Sequence, residues 1–380
     1  MNKKLKVDVI NEKMERLGLN QSDLAKKLSV TRQLVSQWLK NEVFPRPDKL
    51  LRLGTALGLS FSDIVFSPLS ESLPVISFRQ KRNRKESEEE TQSAIKKGRL
   101  LKNLHALLPR DNLLAPSALI NPTPEYDYVQ SAADNVRERM NLQPDDILSG
   151  EHLVAFFHRL HIVLIPVMWG NKQHYANGLN IVIPGTQMTF VYLNIDSNVL
   201  DLNFWMAHEL GHVLASTLDA SSKEVFAEAF AEALLFPRAD AEKARKKLRS
   251  ATTEQALIST ILKIAEGRRI SPTTVTKAIA RYEENGGLEH TDIPAAIHGA
   301  TTNLEKRLGA ISQELFKTHE PTPMDYIETT GSKFKTPFFA AMREYCNMHL
   351  DDAVSFIHQV LDYSLPDSLA LLEAFRKASI

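Results

Sequence analysis

A single cysteine, Cys346, stands in 380 residues, so no disulfide within the chain can brace the fold. That shortage suits a reducing compartment, and the lone thiol reads as a buried spectator. No run of eighteen apolar residues occurs, which excludes a spanning helix of ordinary length. The first residues, Met1-Asn2-Lys3-Lys4-Leu5-Lys6, lack the apolar stretch of a signal peptide. The expectation is a soluble, cytoplasmic protein that makes no use of a membrane. Net charge is missing as well, with 46 Lys+Arg against 46 Asp+Glu, so no single-sign field covers the whole chain.

That balance hides an asymmetry. Residues 1–66 carry 12 Lys+Arg against 7 Asp+Glu and residues 79–102 carry 9 against 4, which leaves residues 103–380 acidic. A basic head on an acidic body is the electrostatic pattern of a nucleic-acid-binding module joined to something with another task. The length points to two or three domains, and a hydrophobic content of 43% supplies a sizeable core to each.

Residues 7–66 read as five short helices. Val9, Ile10, Met14 and Leu17 form one stripe, which Gly18 ends. Gln21 to Leu28 is a second helix, with Leu24 and Ala25 inward. Thr31 caps a third, containing Leu34, Val35 and Trp38, and Asn41 tolerates the left-handed turn after it. Phe44-Pro45-Arg46-Pro47 breaks the chain before a fourth helix through Leu57, and Ser60-Phe61-Ser62-Asp63 opens a fifth. A tight turn between the second and third helices is the helix-turn-helix arrangement, whose second helix enters the major groove N-terminus first.

The stretch N-Q-S-D-L-A-K-K-L-S-V-T-R-Q-L-V-S-Q-W-L-K-N-E-V-F-P, residues 20–45, closely resembles the Xre/Cro-repressor family. The resemblance implies that Thr31, Arg32, Gln33 and Ser36 face double-stranded DNA and that Gln21 meets a phosphate. Gln33 suits a bidentate adenine contact, and Arg32 suits guanine or the backbone. The family binds as dimers, which implies a homodimer here.

Residues 67–102 read as a linker: Ser67 to Pro74 has turn residues without periodicity, Lys81 to Glu90 is a mixed charge run, and a helix starts near Glu89. From Tyr126 the pattern turns mixed α/β. Helices at Val129 to Met140 and Gly150 to Leu160 precede strands at His161 to Val167, Gly178 to Pro184 and Met188 to Asn194.

The last strand leads into Phe204-Trp205-Met206-Ala207-His208-Glu209-Leu210-Gly211-His212-Val213-Leu214. This is H-E-x-x-H, and on a helix His208 and His212 share one face and reach a single ion. Zinc held by two such nitrogens and one more donor keeps an open position, and the adjacent Glu209 can take a proton from an attacking water. The third donor is sought in the helix beginning near Lys223, where Glu224, Glu228 and Glu232 form an i, i+4 ladder.

H-E-L-G-H followed by this acidic helix, with Phe230-Ala231 and Leu234-Leu235-Phe236-Pro237, resembles the ImmA/IrrE metallopeptidases. The resemblance spans roughly residues 103–285, including a small helical module around Ile270-Ser271-Pro272-Thr273-Thr274-Val275. It implies a zincin-like peptidase domain, a gluzincin-like Zn²⁺ site with Glu224 as third ligand, and a glutamate at 228 where the family has asparagine. Substrates of zinc peptidases lie along an edge strand, which gives Gly178 to Pro184 a possible role. Tyr192, His174 and Tyr175 are candidate oxyanion donors.

Residues 286–380 carry apolar periodicity at Leu304 to Phe316, Phe338 to Cys346, Ala353 to Leu361 and Leu369 to Phe375, which predicts a helical bundle that senses or dimerises. His349 and His358 read as packing or surface residues. The expected fold class is α+β and mostly helical, with four parts: helix-turn-helix domain at 1–66, linker at 67–102, peptidase at 103–285, helical C-terminal domain at 286–380. The expected function is a DNA-binding regulator whose zinc endopeptidase cleaves an Xre-type repressor. The alternative is a repressor or antitoxin that keeps an inactive peptidase scaffold.

Overall fold

The computed structural model describes residues 4–59, 64–66, 74–79, 88–109, 118–170, 178–183, 188–316 and 320–377. It divides into two compact units, Met1–Leu73 and Pro74–Ile380. Among the described residues no helix is long and apolar enough to cross a membrane.

In the first unit, α1 (Val7–Arg16), α2 (Gln21–Leu28), α3 (Arg32–Leu39) and α4 (Pro47–Leu57) surround Ile10, Leu24, Leu28, Val35, Trp38, Leu53 and Leu57. Short strands β1 (Lys4–Leu5) and β2 (Val65–Phe66) pair antiparallel beside them. The turn between α2 and α3 is encoded locally. The Asn20 side chain accepts from the amides of Ser22 and Asp23, Ser29 takes the left-handed conformation that ends α2, and Thr31 accepts from the Leu34 amide to start α3. Asn41 also takes a positive φ, and its side chain exchanges two hydrogen bonds with the Leu5 backbone, at 2.6 and 3.2 Å. Leu17, expected on the inward stripe, is 49% exposed. The fifth helix expected from Ser60 lies outside the described residues.

The second unit has one four-stranded sheet in the order β3-β5-β6-β4, formed by β3 (Val75–Arg79), β4 (Val163–Val167), β5 (Gly178–Ile183) and β6 (Met188–Asn194). β4 runs parallel to β6, while β5 is antiparallel to both β6 and β3. Two readings of the sequence change here. Residues 75–79, expected to be linker, are a strand of this sheet, and β5, expected at an edge, is interior. Around the sheet lie α5 (Glu88–Leu101), α6 (Tyr126–Arg139), α7 (Gly150–Arg159), α8 (Val199–Leu214), α9 (Ala220–Leu235), α10 (Arg238–Arg249), α11 (Glu254–Arg268) and α12 (Pro272–Asn285).

The C-terminal residues form α13 (Ile297–Leu308), α14 (Ile311–Leu315), α15 (Pro323–Lys333), α16 (Phe338–Met348), α17 (Ala353–Leu361) and α18 (Leu365–Lys377). They are helical as expected, yet the boundary expected at residue 286 separates no compact unit. One apolar core runs from Ala94 through the sheet to Phe375. Trp169 donates to the Leu361 carbonyl at 2.7 Å, Tyr192 to that of Val360 at 2.9 Å, and Tyr326 to that of Pro166. His349 stacks on Tyr345. Cys346 is fully buried, and burial pushes its thiol up to about 12, which leaves it unreactive. Taken together, the fold is α+β and mostly helical.

Candidate functional sites

The H-E-x-x-H segment lies in α8. Asn198 caps that helix by accepting from the Leu200 amide, and apolar residues all round it produce a helix buried along most of its length. α9 starts at Asp219, which accepts from the amides of Ser221 and Ser222, and crosses α8 closely. The contact point is Gly211, where an added Cβ would lie 2.9 Å from the Ala227 Cα. A larger residue within the motif would hold the acidic helix away from the histidines.

This crossing brings three of the predicted residues together. The Nε2 atoms of His208 and His212 are 3.0 Å apart. Glu224 places one carboxylate oxygen 3.3 Å from His208 Nε2 and the other 3.1 Å from His212 Nε2. Burial pushes the Glu224 carboxyl up, but the hydrogen bonds and charge of the two histidines outweigh this and hold it well below the usual carboxylate range. Glu209 is fully buried beside the pair. Burial lowers the Lys223 ammonium, against the opposing pull of the Glu209 charge, so these two groups feel one another. Nothing in the sequence flags Lys223, a lysine among glutamates on a surface-like helix face.

Glu228 occupies a different place from Glu224. Its Oε2 lies 3.7 Å from His208 Nδ1, the nitrogen facing away from Glu224, and its Oε1 accepts from Lys277 of α12 at 2.7 Å. One turn on, Glu232 is buried against Arg281 at 2.7 Å, and burial pushes it up to about 7 despite Arg281 and Lys277. The three-glutamate ladder thus splits into one group at both histidines, one behind His208, and one in an ion pair with α12.

The oxyanion candidates fare differently. Tyr192 is fully buried with its hydroxyl spent on the Val360 carbonyl, so it is no oxyanion donor. Sequence alternation cannot say which face of β6 a residue takes. His174 and Tyr175 lie outside the described residues.

On the first unit, Arg32 and Gln33 are exposed at the start of α3, next to the Thr31 cap. Gln21, Arg32, Gln33 and Ser36 line one shallow concavity together with Gln37, Lys40 and Glu42. Gln37 and Lys40, absent from the sequence-based set, each stand one helical turn beyond a member of it, Gln33 and Ser36.

Comparison with known proteins matches the two regions that carry these residues. Residues 10–64 match the family model of a helix-turn-helix, and residues 159–277 match that of an IrrE N-terminal-like domain. The second match is narrower than the 103–285 resemblance and omits β3. Searches among curated proteins and solved structures found no match. The chain therefore joins an Xre-type helix-turn-helix DNA-binding domain to a peptidase domain of the IrrE/ImmA kind.

Proposed function

We propose that the second unit is a zinc-dependent endopeptidase that cleaves an Xre-type repressor, and that the first unit brings it to the operator as a homodimer. The observation that carries this reading is the crossing of α8 and α9, where donor atoms of His208, His212 and Glu224 lie within 4.8 Å of one another. Two imidazoles and one carboxylate fit zinc in a site with a position left open, whereas a closed structural site takes four protein donors. Bound there, the ion would polarise the scissile carbonyl and the attacking water. Glu209 takes the proton from that water and returns it to the departing amine. Glu224 acts as third ligand because it reaches both Nε2 atoms. Glu228, at 3.7 Å from His208 Nδ1, orients that ring, and Lys277 steadies Glu228.

On the DNA side, Thr31, Arg32, Gln33 and Ser36 read the major groove and Gln21 meets a phosphate, supported by the concavity that Gln21, Arg32, Gln33 and Ser36 line together and by the exposed Thr31 beside it. The test is co-expression with Xre-type proteins encoded nearby, for the native chain and for Glu209→Gln. A cleaved product that disappears in the variant and on chelation supports the proposal, and cleavage that persists in Glu209→Gln sinks the mechanism. Failure to cleave any such partner would favour the repressor reading with an inactive scaffold.

A further inference from the structure

The outer edge of β5 is where the sheet would receive an extended peptide, and it is already taken. The family match at 159–277 contains β5, β6, α8 and the start of α9 through to α12, so within it β5 is the antiparallel end of the sheet. This chain adds β3 from outside that region, in antiparallel register from Val75 opposite Val182 to Arg79 opposite Gly178. The α8 helix that bears His208 and His212 packs against β5 and β6. On the far side of the sheet, β4 is buried along its whole length, and α7 and α16 pack against it.

Resting on the peptidase reading, we propose that β3 is a resident stand-in for substrate: an extended peptide segment binds by adding antiparallel to β5, and residues 75–79 compete with it for that edge. Main-chain hydrogen bonds supply most of the affinity in such strand addition, so any five extended residues can occupy the place. β3 is short, and it begins directly after Pro74, the residue that opens the second compact unit. It is held at that end by α5, where Gly98 leaves room: an added Cβ would lie 2.5 Å from Pro74 Cγ and 3.0 Å from Ile181 Cγ2. The chain that leads out of the DNA-binding unit is thus the chain that closes the edge. A competent site requires β3 to leave, and the observed affinity for peptide is lowered by the fraction of molecules in which it has not.

The experiment uses the full chain carrying Glu209→Gln, so that nothing is cut, and a fluorescein-labelled peptide of residues 74–82, Pro-Val-Ile-Ser-Phe-Arg-Gln-Lys-Arg. Adding Ile76→Pro and Ser77→Pro removes two successive amide donors, of which alternation along the strand aims one at β5. Fluorescence anisotropy is expected to give binding tighter by roughly tenfold or more in the proline variant than in its parent. The same peptide with alternate amides N-methylated should not bind. Equal affinity in both chains, or binding of the N-methylated peptide, would overturn the proposal. If the proline variant does not keep its melting transition, a chain with residues 75–79 replaced by Gly-Ser-Gly-Ser-Gly serves in its place, read the same way. No step depends on cleavage or on metal, so the two readings fail separately: strand exchange here, beside a native Glu209 chain that cuts no partner, would keep the competition of β3 for the β5 edge and remove its meaning as a substitute for substrate.

Discussion

Two helix pairs carry the proposed sites of this chain, and they dispose their polar residues in opposite ways. The α2 and α3 pair turns its functional residues outward: Arg32 and Gln33 are exposed, and what lies between the helices is Leu24, Leu28, Val35 and Trp38. The α8 and α9 pair turns them inward, with His208 and Glu209 fully buried at the helix contact. A surface that reads a long polymer needs side chains free to meet it, and exposed polar groups cost little. A site proposed to move protons needs groups fixed before substrate arrives, and here Glu224 and Glu228 flank the buried His208 while Lys277 pairs with Glu228. Function and stability are therefore separable in the first pair and entangled in the second.

The largest expected effect tests whether the pairs belong to independent units. Phe230 is fully buried in α9 and stacks on Phe226, so Phe230→Ala should lower the stability of the second unit by about 3–5 kcal/mol. Calorimetry should register that loss while binding to an operator duplex stays unchanged. A parallel loss of DNA binding would break the comparison. Next in size, Glu228→Gln should weaken zinc affinity by roughly 10–100-fold, read by competition with a chelating dye, because His208 loses its orienting carboxylate. An unchanged affinity would mean that Glu228 merely pairs with Lys277.

In the outward pair, Gln33→Ala should reduce affinity for the cognate operator by about 1–2 kcal/mol and leave binding to unrelated duplex and the salt slope alone. A uniform drop across sequences would move Gln33 from base reading to backbone contact. Smallest of all, Thr31→Ala removes the cap of α3 and should lower the melting stability of the first unit by about 1 kcal/mol.

Much of both pairs was legible because their chemistry sits at short, fixed spacing. Asn20, Ser29, Thr31 and Asn41 each state a local backbone requirement, and His208 and His212 state a shared helix face. What escaped was what depends on distant partners. Five residues at 75–79, between a proline and a charge run, give no sign that β5 lies about a hundred residues away to receive them. The hydroxyl of Tyr192 could be placed only by knowing which face of β6 meets α17. Glu224 and Glu228 are told apart by the crossing at Gly211, which is a packing fact and not a sequence pattern. The C-terminal helices were foreseen as helices, but periodicity does not name the surface they cover.

That covering has a consequence in time. The indole N–H of Trp169 and the hydroxyl of Tyr192 end on carbonyls at 361 and 360, and a buried donor left without its acceptor costs about 1–3 kcal/mol. During synthesis, the helix-turn-helix unit emerges before the second unit, and the described residues of its core all fall between Leu5 and Val65. The sheet and the histidine pair cannot reach their final packing until α17 has left the ribosome. The helix-turn-helix unit thus can complete its core well before the pocket around His208 and His212 is closed, an ordering set by the direction of translation alone.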